Sequence, residues 1–390
     1  MRKAKLNSNN YTSRIRIKKN NNTWRKVKIA EIAAVILGQS PDSKNYTDNP
    51  NDYILVQGNA DMRNGRVVPR VWTSQVTKLA EKGDLILSVR APVGDVGKTD
   101  YPVVLGRGVA AIKGNEFLFQ LLTKMKQSHY WSKFSTGSTF ESINSNDIKS
   151  AEIYLPSIEE QSAIGSLFRT VDDLLSSYKD NLTNYQSLKT TMLSKMFPKA
   201  GQTVPEIRLD GFEGEWENKT LSEVTNITMG QSPKSENYTD NPNDYILVQG
   251  NADIKDKRVV PRLWTTEVTK FAEIGDIILT VRAPVGDIGK TDYNVVIGRG
   301  VAAIKGNDFI FYTLEKMKMT GYWNKFSTGS TFESISSNDI KEAIIQIPTI
   351  EEQQAIGFYF SNLDQLINSY QEKITQLETL KKKLLQDMFI

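Results

Sequence analysis

The sequence predicts an α+β chain: two mixed α/β globules, each followed by a long helix, with the two helices packed as an antiparallel coiled coil about a pseudo-twofold axis. Three observations predict it. First, the chain repeats at a constant offset of 192, so that Gly38-Gln39-Ser40-Pro41 returns as Gly230-Gln231-Ser232-Pro233. Trp72, Arg90, Phe140 and Phe197 return as Trp264, Arg282, Phe332 and Phe389, and 86 of the 112 positions from Gly38 to Lys149 are identical in the second copy. Second, short β-type runs separated by turn signals fill the first part of each copy. Third, a strict heptad pattern fills the rest. A duplication of this length implies two copies of one device acting on something that also has two halves.

The elements follow in order. Residues 1–23 form a basic, Asn-rich arm, either a segment that touches phosphates or a solvated tail. Residues 1–28 hold ten Lys or Arg and no acid, so the overall net charge of +4 hides a net of −6 over the remainder. Residues 24–155 form the first globule, with strands expected at Tyr53-Ile54-Leu55-Val56, Asp84–Val89 and Gly108–Ile112. Asn64-Gly65, between Asn59–Met62 and Arg66–Val68, has the chemistry of a tight hairpin turn, because both residue types accept positive φ. A helical stretch around Phe117–Trp131 makes the globule mixed.

Residues 156–197 are the first long helix. Ser157-Ile158-Glu159-Glu160 has capping-box spacing, as does Thr349-Ile350-Glu351-Glu352. Apolar residues recur every seven positions at Ile164, Val171, Tyr178, Tyr185 and Met192, beside a stripe of Phe168, Leu175, Leu182, Lys189 and Met196. Ile356, Leu363, Tyr370, Leu377 and Leu384 repeat the pattern in residues 348–390. Some 40 residues at 1.5 Å each give a rod of roughly 60 Å. Residues 198–215, opening on Pro198 and containing Pro205, cannot continue the helix and form a linker. The second globule spans 216–347. Each helix lacks a partner in its own copy, so the two are expected to pack on each other.

Composition excludes several chemistries. There is no cysteine, hence no disulfide, thiolate zinc site or cysteine nucleophile. The only histidine, His129, aligns with Gly321 and cannot carry a role common to both copies. No apolar run is long enough to span a bilayer and no signal-peptide core is present, which predicts a soluble, cytoplasmic protein. Val93–Thr99, repeated at Val285–Thr291, resembles the end of a P-loop, but the position that needs glycine is Pro92 and a strand follows; a tight turn is the better reading. No amino-methyltransferase motif and no nuclease-type acidic triad is present. The chain reads as a binding module without catalytic residues, metal or cofactor.

Three clusters, each present twice, carry side chains suited to nucleic acid. Gln57, Asn59, Arg63, Arg66 and Arg70, with Gln249, Asn251, Lys255, Arg258 and Arg262, lie on turn-rich backbone. Gln and Asn pair bidentately with adenine and Arg with guanine; a polar hairpin with a packed Trp72 is the structural alternative. Arg90 and Arg107, with Arg282 and Arg299, stand beside glycines that allow close approach to a phosphate backbone. An internal carboxylate partner for Arg90 is the alternative. Lys133, Thr136, Ser138 and Thr139, with Lys325, Thr328, Ser330 and Thr331, offer a Ser/Thr/Gly loop to phosphates, or a turn network feeding the next strand.

The whole resembles the specificity (S, HsdS) subunit of type I restriction–modification systems. The resemblance is carried by Ser135–Thr139 leading to Leu155-Pro156-Ser157-Ile158-Glu159-Glu160-Gln161, by Leu193–Pro198, and by Pro205–Trp216; it covers the chain past residue 12. It implies two target-recognition domains for double-stranded DNA and no catalysis. It also implies helices that dock two methyltransferase (M) subunits carrying S-adenosylmethionine, with restriction (R) subunits in the full complex. A stand-alone DNA-binding or antirestriction protein that self-associates through its helices is the rival. Members of this family usually carry dissimilar recognition domains, whereas here the two are nearly equal. The expectation is a near-palindromic, interrupted target with half-site centres about 10 bp apart. Met62-Arg63-Asn64-Gly65 against Ile254-Lys255-Asp256-Lys257 is the main divergence; if that hairpin tip reads bases, the half-sites differ, and if it is a solvated turn, they match.

Overall fold

The computed structural model describes residues 23–134, 141–326 and 334–389. The chain divides into two compact units, Met1–Asp180 with Gln371–Ile390, and Asn181–Tyr370.

In the first unit a six-stranded sheet runs in the order Val35–Leu37, Val109–Ile112, Leu85–Ser88, Val96–Lys98, Arg66–Val67, Met62–Arg63. Neighbours are antiparallel except Val96–Lys98 beside Arg66–Val67. A five-stranded sheet has the order Tyr46–Thr47, Trp72–Thr73, Tyr53–Val56, Val103–Leu105, Leu79–Ala80. Side chains alternate across a strand, which explains why the central runs are apolar throughout. Leu85, Leu87, Ala110 and Ile112 enter one core, whereas Ile86, Val109 and Ala111 enter the other with Val56, Val103 and Leu105. The strand Leu85–Ser88 is therefore buried on both faces.

The first core is closed by the helix Glu116–Gln127, capped by Asn115 accepting from the Leu118 N–H at 3.1 Å. It is also closed by residues of the two long helices, Ile158–Lys195 and Ile350–Met388. Phe389 sits among Phe117 at 5.2 Å, Phe168 at 5.8 Å and Trp24 at 6.4 Å between ring centroids. The helical segments of this unit run antiparallel, because Lys179 pairs with Glu378 and Asp172 with Lys381, each at 2.6 Å.

The second unit repeats this internal plan. Its sheets have the orders Ile227–Met229, Val301–Ile304, Ile277–Thr280, Ile288–Lys290, Arg258–Val259, Ile254–Lys255 and Tyr238–Thr239, Trp264–Thr265, Tyr245–Val248, Val295–Ile297, Phe271–Ala272. Phe197 fills its core against Phe309 at 5.5 Å, Trp216 at 6.0 Å and Phe360 at 6.1 Å. Its helical segments are again antiparallel, with Tyr185 against Tyr370 at 5.3 Å and Lys189 paired with Asp364 at 2.6 Å.

Two local expectations are refined. Asn59–Asp61 is a 3₁₀ turn and not a strand, because the buried Asp61 carboxylate gathers the N–H groups of Gln57 at 2.7 Å and Gly58 at 3.2 Å. At the second long helix Thr349 caps the Glu352 N–H at 3.4 Å, but the Glu352 carboxylate is buried and takes Arg208 of the linker at 2.8 and 2.7 Å. The turn after Pro92 leads into the strand Val96–Lys98, and Lys98 pairs with Glu116 at 3.2 Å, which leaves no phosphate loop there.

Candidate nucleic-acid interface

Three loops of the first globule meet backbone to backbone. In Gly38-Gln39-Ser40-Pro41, Gly38 donates to Val109 O at 3.0 Å and Gln39 to Leu105 O at 2.9 Å. The Ser40 hydroxyl accepts the Arg107 N–H at 3.0 Å. Gly106 donates to Val56 O at 2.7 Å, and Val89 donates to Gly108 O at 2.8 Å. Glycine is required at two of these crossings: a Cβ on Gly38 would lie 2.1 Å from Gly106 O, and one on Gly108 would lie 2.0 Å from Gln57 O. The second unit repeats the joints, with Arg299 donating to Ser232 at 3.0 Å and Gly298 to Val248 O at 2.8 Å.

This construction brings Gln57, Asn59, Arg90 and Arg107 around one polar cavity of about 290 Å³, together with Ser40 and Tyr46. Arg90 and Arg107 are exposed, and among the described residues neither pairs with a carboxylate. They also border a second cavity of about 510 Å³ that includes Leu37 and Glu141. Backbone pairing of Arg90 with Ser142 holds that wall, and Arg282 with Ser334 repeats it.

Other candidates are placed elsewhere. Arg70 donates to Ala60 O at 2.9 Å and faces the Asp61 carboxylate at 3.5 Å, as Arg262 does with Ala252 O at 2.8 Å and Asp253 at 3.6 Å. Arg66 pairs with Asp100 and Arg258 with Asp292, both at 2.8 Å. Asn251 donates to Asp287 at 2.9 Å. Lys133 lies 3.6 Å over the Tyr130 ring and Lys325 3.8 Å over Tyr322. Thr136, Ser138, Thr139, Thr328, Ser330 and Thr331 lie outside the described residues.

Arg63 and Lys255 are exposed on the hairpins Met62–Val67 and Ile254–Val259, and do not border the cavity. The tips of these hairpins face helices. Gly65 packs by Phe119, and with Asn64 it borders a cavity shared with Asp172 and Lys381. In the second unit Lys257 bonds Glu315 at 2.6 Å and Asp364 at 3.1 Å, while Lys189 bonds Glu315 at 2.9 Å and Asp364 at 2.6 Å. Tyr312 donates to Asp364 at 3.0 Å. Burial alone would raise the Asp364 pKa, but Lys257 and Lys189 outweigh it and hold the carboxylate below its ordinary range. Burial lowers the Lys189 pKa. Burial also opposes the charge on Lys257, yet Glu315 and Asp364 prevail and raise its pKa.

Sequence reasoning missed Ser40 and Tyr46, although the repeat of Gly-Gln-Ser-Pro pointed at the first. It also missed that Asp61 and Asp253 fix the turns that carry Gln57 and Gln249.

Comparison with known proteins decides the family. The profile of the type I restriction modification DNA specificity domain matches twice, over residues 21–185 and 213–379. The chain belongs to the type I restriction–modification DNA specificity family. Among relatives from Methanocaldococcus jannaschii, the protein described as the MjaX type I restriction enzyme specificity subunit is 29% identical over 281 residues, which is 69% of this chain and 66% of that protein. The MjaVIII specificity subunit is 22% identical over 290 residues, 69% of this chain and 68% of its own length. Among solved structures, the type I restriction–modification S subunit from M. genitalium has a TM-score of 0.69 at 18% identity, covering 97% of this chain and 99% of that one. A chain from a type I system solved for its complex assembly and conformational transition has a TM-score of 0.54 at 24% identity, covering 93% and 96%. These two likenesses support the fold of this type I specificity chain.

Proposed function

We propose that the chain is the non-catalytic DNA-recognition subunit of a type I restriction–modification complex, reading an interrupted, near-palindromic duplex target with one half-site per globule. The observation that carries this reading is the distribution of differences between the copies. The residues of the polar cavity recur without change as Ser232, Tyr238, Gln249, Asn251, Arg282 and Arg299. The main divergence falls on hairpin tips whose contacts are with helices: Lys257 meets Asp364 where Gly65 meets Phe119. With the pseudo-twofold arrangement that the duplication leads one to expect, equal readers see equal words on opposite strands.

The helices supply the docking face for the other subunits. Leu167, Leu174 and Leu380 of the first unit and Leu188, Phe358 and Leu366 of the second are exposed apolar residues on the long helices, and the last three line one shared apolar depression, the kind of patch that marks an interaction surface. Two methyltransferase subunits carrying S-adenosylmethionine dock there, and restriction subunits join the full assembly, in the cytoplasm. Methylome sequencing of a host expressing this chain with its methyltransferase is expected to return a bipartite motif whose halves are inverted complements. Purification is expected to return two methyltransferase subunits per chain. Two unrelated half-sites would refute the palindrome, and a lone self-associated chain would favour the stand-alone binder.

A further inference from the structure

Several cationic side chains of the first globule that lie outside the cavity are committed within the protein. Arg66 holds Asp100, Arg70 holds Ala60 O and Asp61, and Lys126 holds Asp95. Arg107 and Gln57 differ. Both border the cavity, and among the described residues neither side chain is engaged by another protein group. Their backbones, in contrast, are tightly fixed. The Arg107 N–H is held by Ser40 at 3.0 Å, and the Gln57 N–H by Asp61 at 2.7 Å. Gly106 and Gly108 press the two segments together, since a Cβ on either would lie 3.1 Å from the Gln57 Cα or 2.0 Å from its carbonyl oxygen. A free side chain on pinned backbone suits base reading, which demands a fixed geometry, better than phosphate contact, which tolerates a mobile one.

The chemistry of the pair is specific. A guanidinium pairs bidentately with O6 and N7 of guanine, and a carboxamide with N6 and N7 of adenine, in the major groove. Two readers whose backbones touch serve neighbouring base pairs, which are stacked about 3.4 Å apart. Resting on the DNA-reading function proposed above, we propose that Arg107 and Arg299 read a guanine in each half-site and that Gln57 and Gln249 read an adenine on the adjacent base pair. Asp61 and Ser40, with Asp253 and Ser232, are positioning residues. Arg90 and Arg282 flank the site.

The duplication supplies the test. The full chain is used to select bipartite duplexes from a randomised library, and the wild type is expected to return neighbouring guanine and adenine in both halves. Arg107→Gln alone is expected to lower the preference for guanine at one position of one half-site by about 10- to 100-fold, making the motif asymmetric. Arg299→Gln is expected to do the same in the other half. Replacing that guanine with 7-deazaguanine, which lacks the N7 acceptor and needs no protein variant, is expected to weaken wild-type binding by about tenfold and the matching variant much less. A uniform loss across sequences, with the salt slope reduced by about 1, would assign Arg107 to a phosphate and overturn the inference. An unchanged guanine in the Arg107→Gln motif, or half-sites lacking the guanine–adenine pair, would also overturn it. Those outcomes leave the DNA-reading function standing; failure to select any bipartite motif removes both.

Discussion

The buried Asp61 carboxylate accepts from Gln57 and Gly58 and faces Arg70, so two candidate base contacts, Gln57 and Arg70, depend on one acid for their positions. Asp61→Ala leaves two N–H groups without their acceptor, and an unmet buried donor costs about 1–3 kcal/mol. The expected outcome is weaker binding at one half-site, measured by titration with a duplex carrying that half alone; Asp61→Asn, which keeps an acceptor oxygen, is expected to be milder. Phe389 makes a parallel case for stability. It is 3% exposed among three aromatic rings, and its truncation to Ala is expected to cost about 3–5 kcal/mol. Hydrogen exchange should rise around Phe117 and Phe168 in the first unit, while the Phe197 core is unchanged.

At the scale of elements, the hairpin and the helix it faces are the adjustable part of each unit. Lys189 is 6% exposed, and a buried Lys is tolerated there because Asp364 and Glu315 both bond it. Glu315→Thr, the residue of the first copy, strands Lys189 and Lys257 on one carboxylate and is expected to destabilise the second unit by about 2 kcal/mol. Adding Lys257→Gly should recover part of that loss, since it removes one cation and relieves a lysine held at φ 62°. Chemical denaturation of the two variants measures the difference. Asp364 is depressed by Lys257 and Lys189, so its stabilisation is complete above the ordinary aspartate pKa, about 4, and disappears as pH falls through the lower folded value. Acid unfolding of the second unit is expected to flatten in Asp364→Asn. Because the hairpin faces helices, I254M/K255R/D256N/K257G is expected to leave the selected DNA motif unchanged; an altered motif would return the tip to base reading.

At the scale of the whole molecule, the same sequence difference has opposite meanings depending on where it falls. Twenty-six substitutions separate the copies between Gly38 and Lys149 (112 positions less 86 identities). Gln120 against Tyr312 and Thr123 against Glu315 look as consequential in the sequence as any change at Gln57 would have been. In the fold, Gln120 bonds Asp172 at 2.8 Å and Tyr312 bonds Asp364 at 3.0 Å, so these changes alter how a globule meets helices. A wild-type motif with equal halves, turned asymmetric by one substitution in one copy, is the expected signature of two equal readers.

The sequence by itself determined the duplication, the strand and helix types, the heptad rods and the family. These are carried by local periodicity and by spacing along the chain, which need no partner to be legible. It also offered Gln57, Asn59, Arg90 and Arg107 as candidates, from side-chain chemistry alone. Only the tertiary structure decided which of the candidates converge. Arg66 and Arg70 were indistinguishable in sequence from Arg107, until Asp100 and Asp61 were found beside them. Lys189 was an odd residue in an apolar stripe until Glu315 and Asp364 closed on it. Whether a charge faces DNA, an internal acid or a helix depends on groups distant in the chain, and only folding brings those groups within hydrogen-bonding distance.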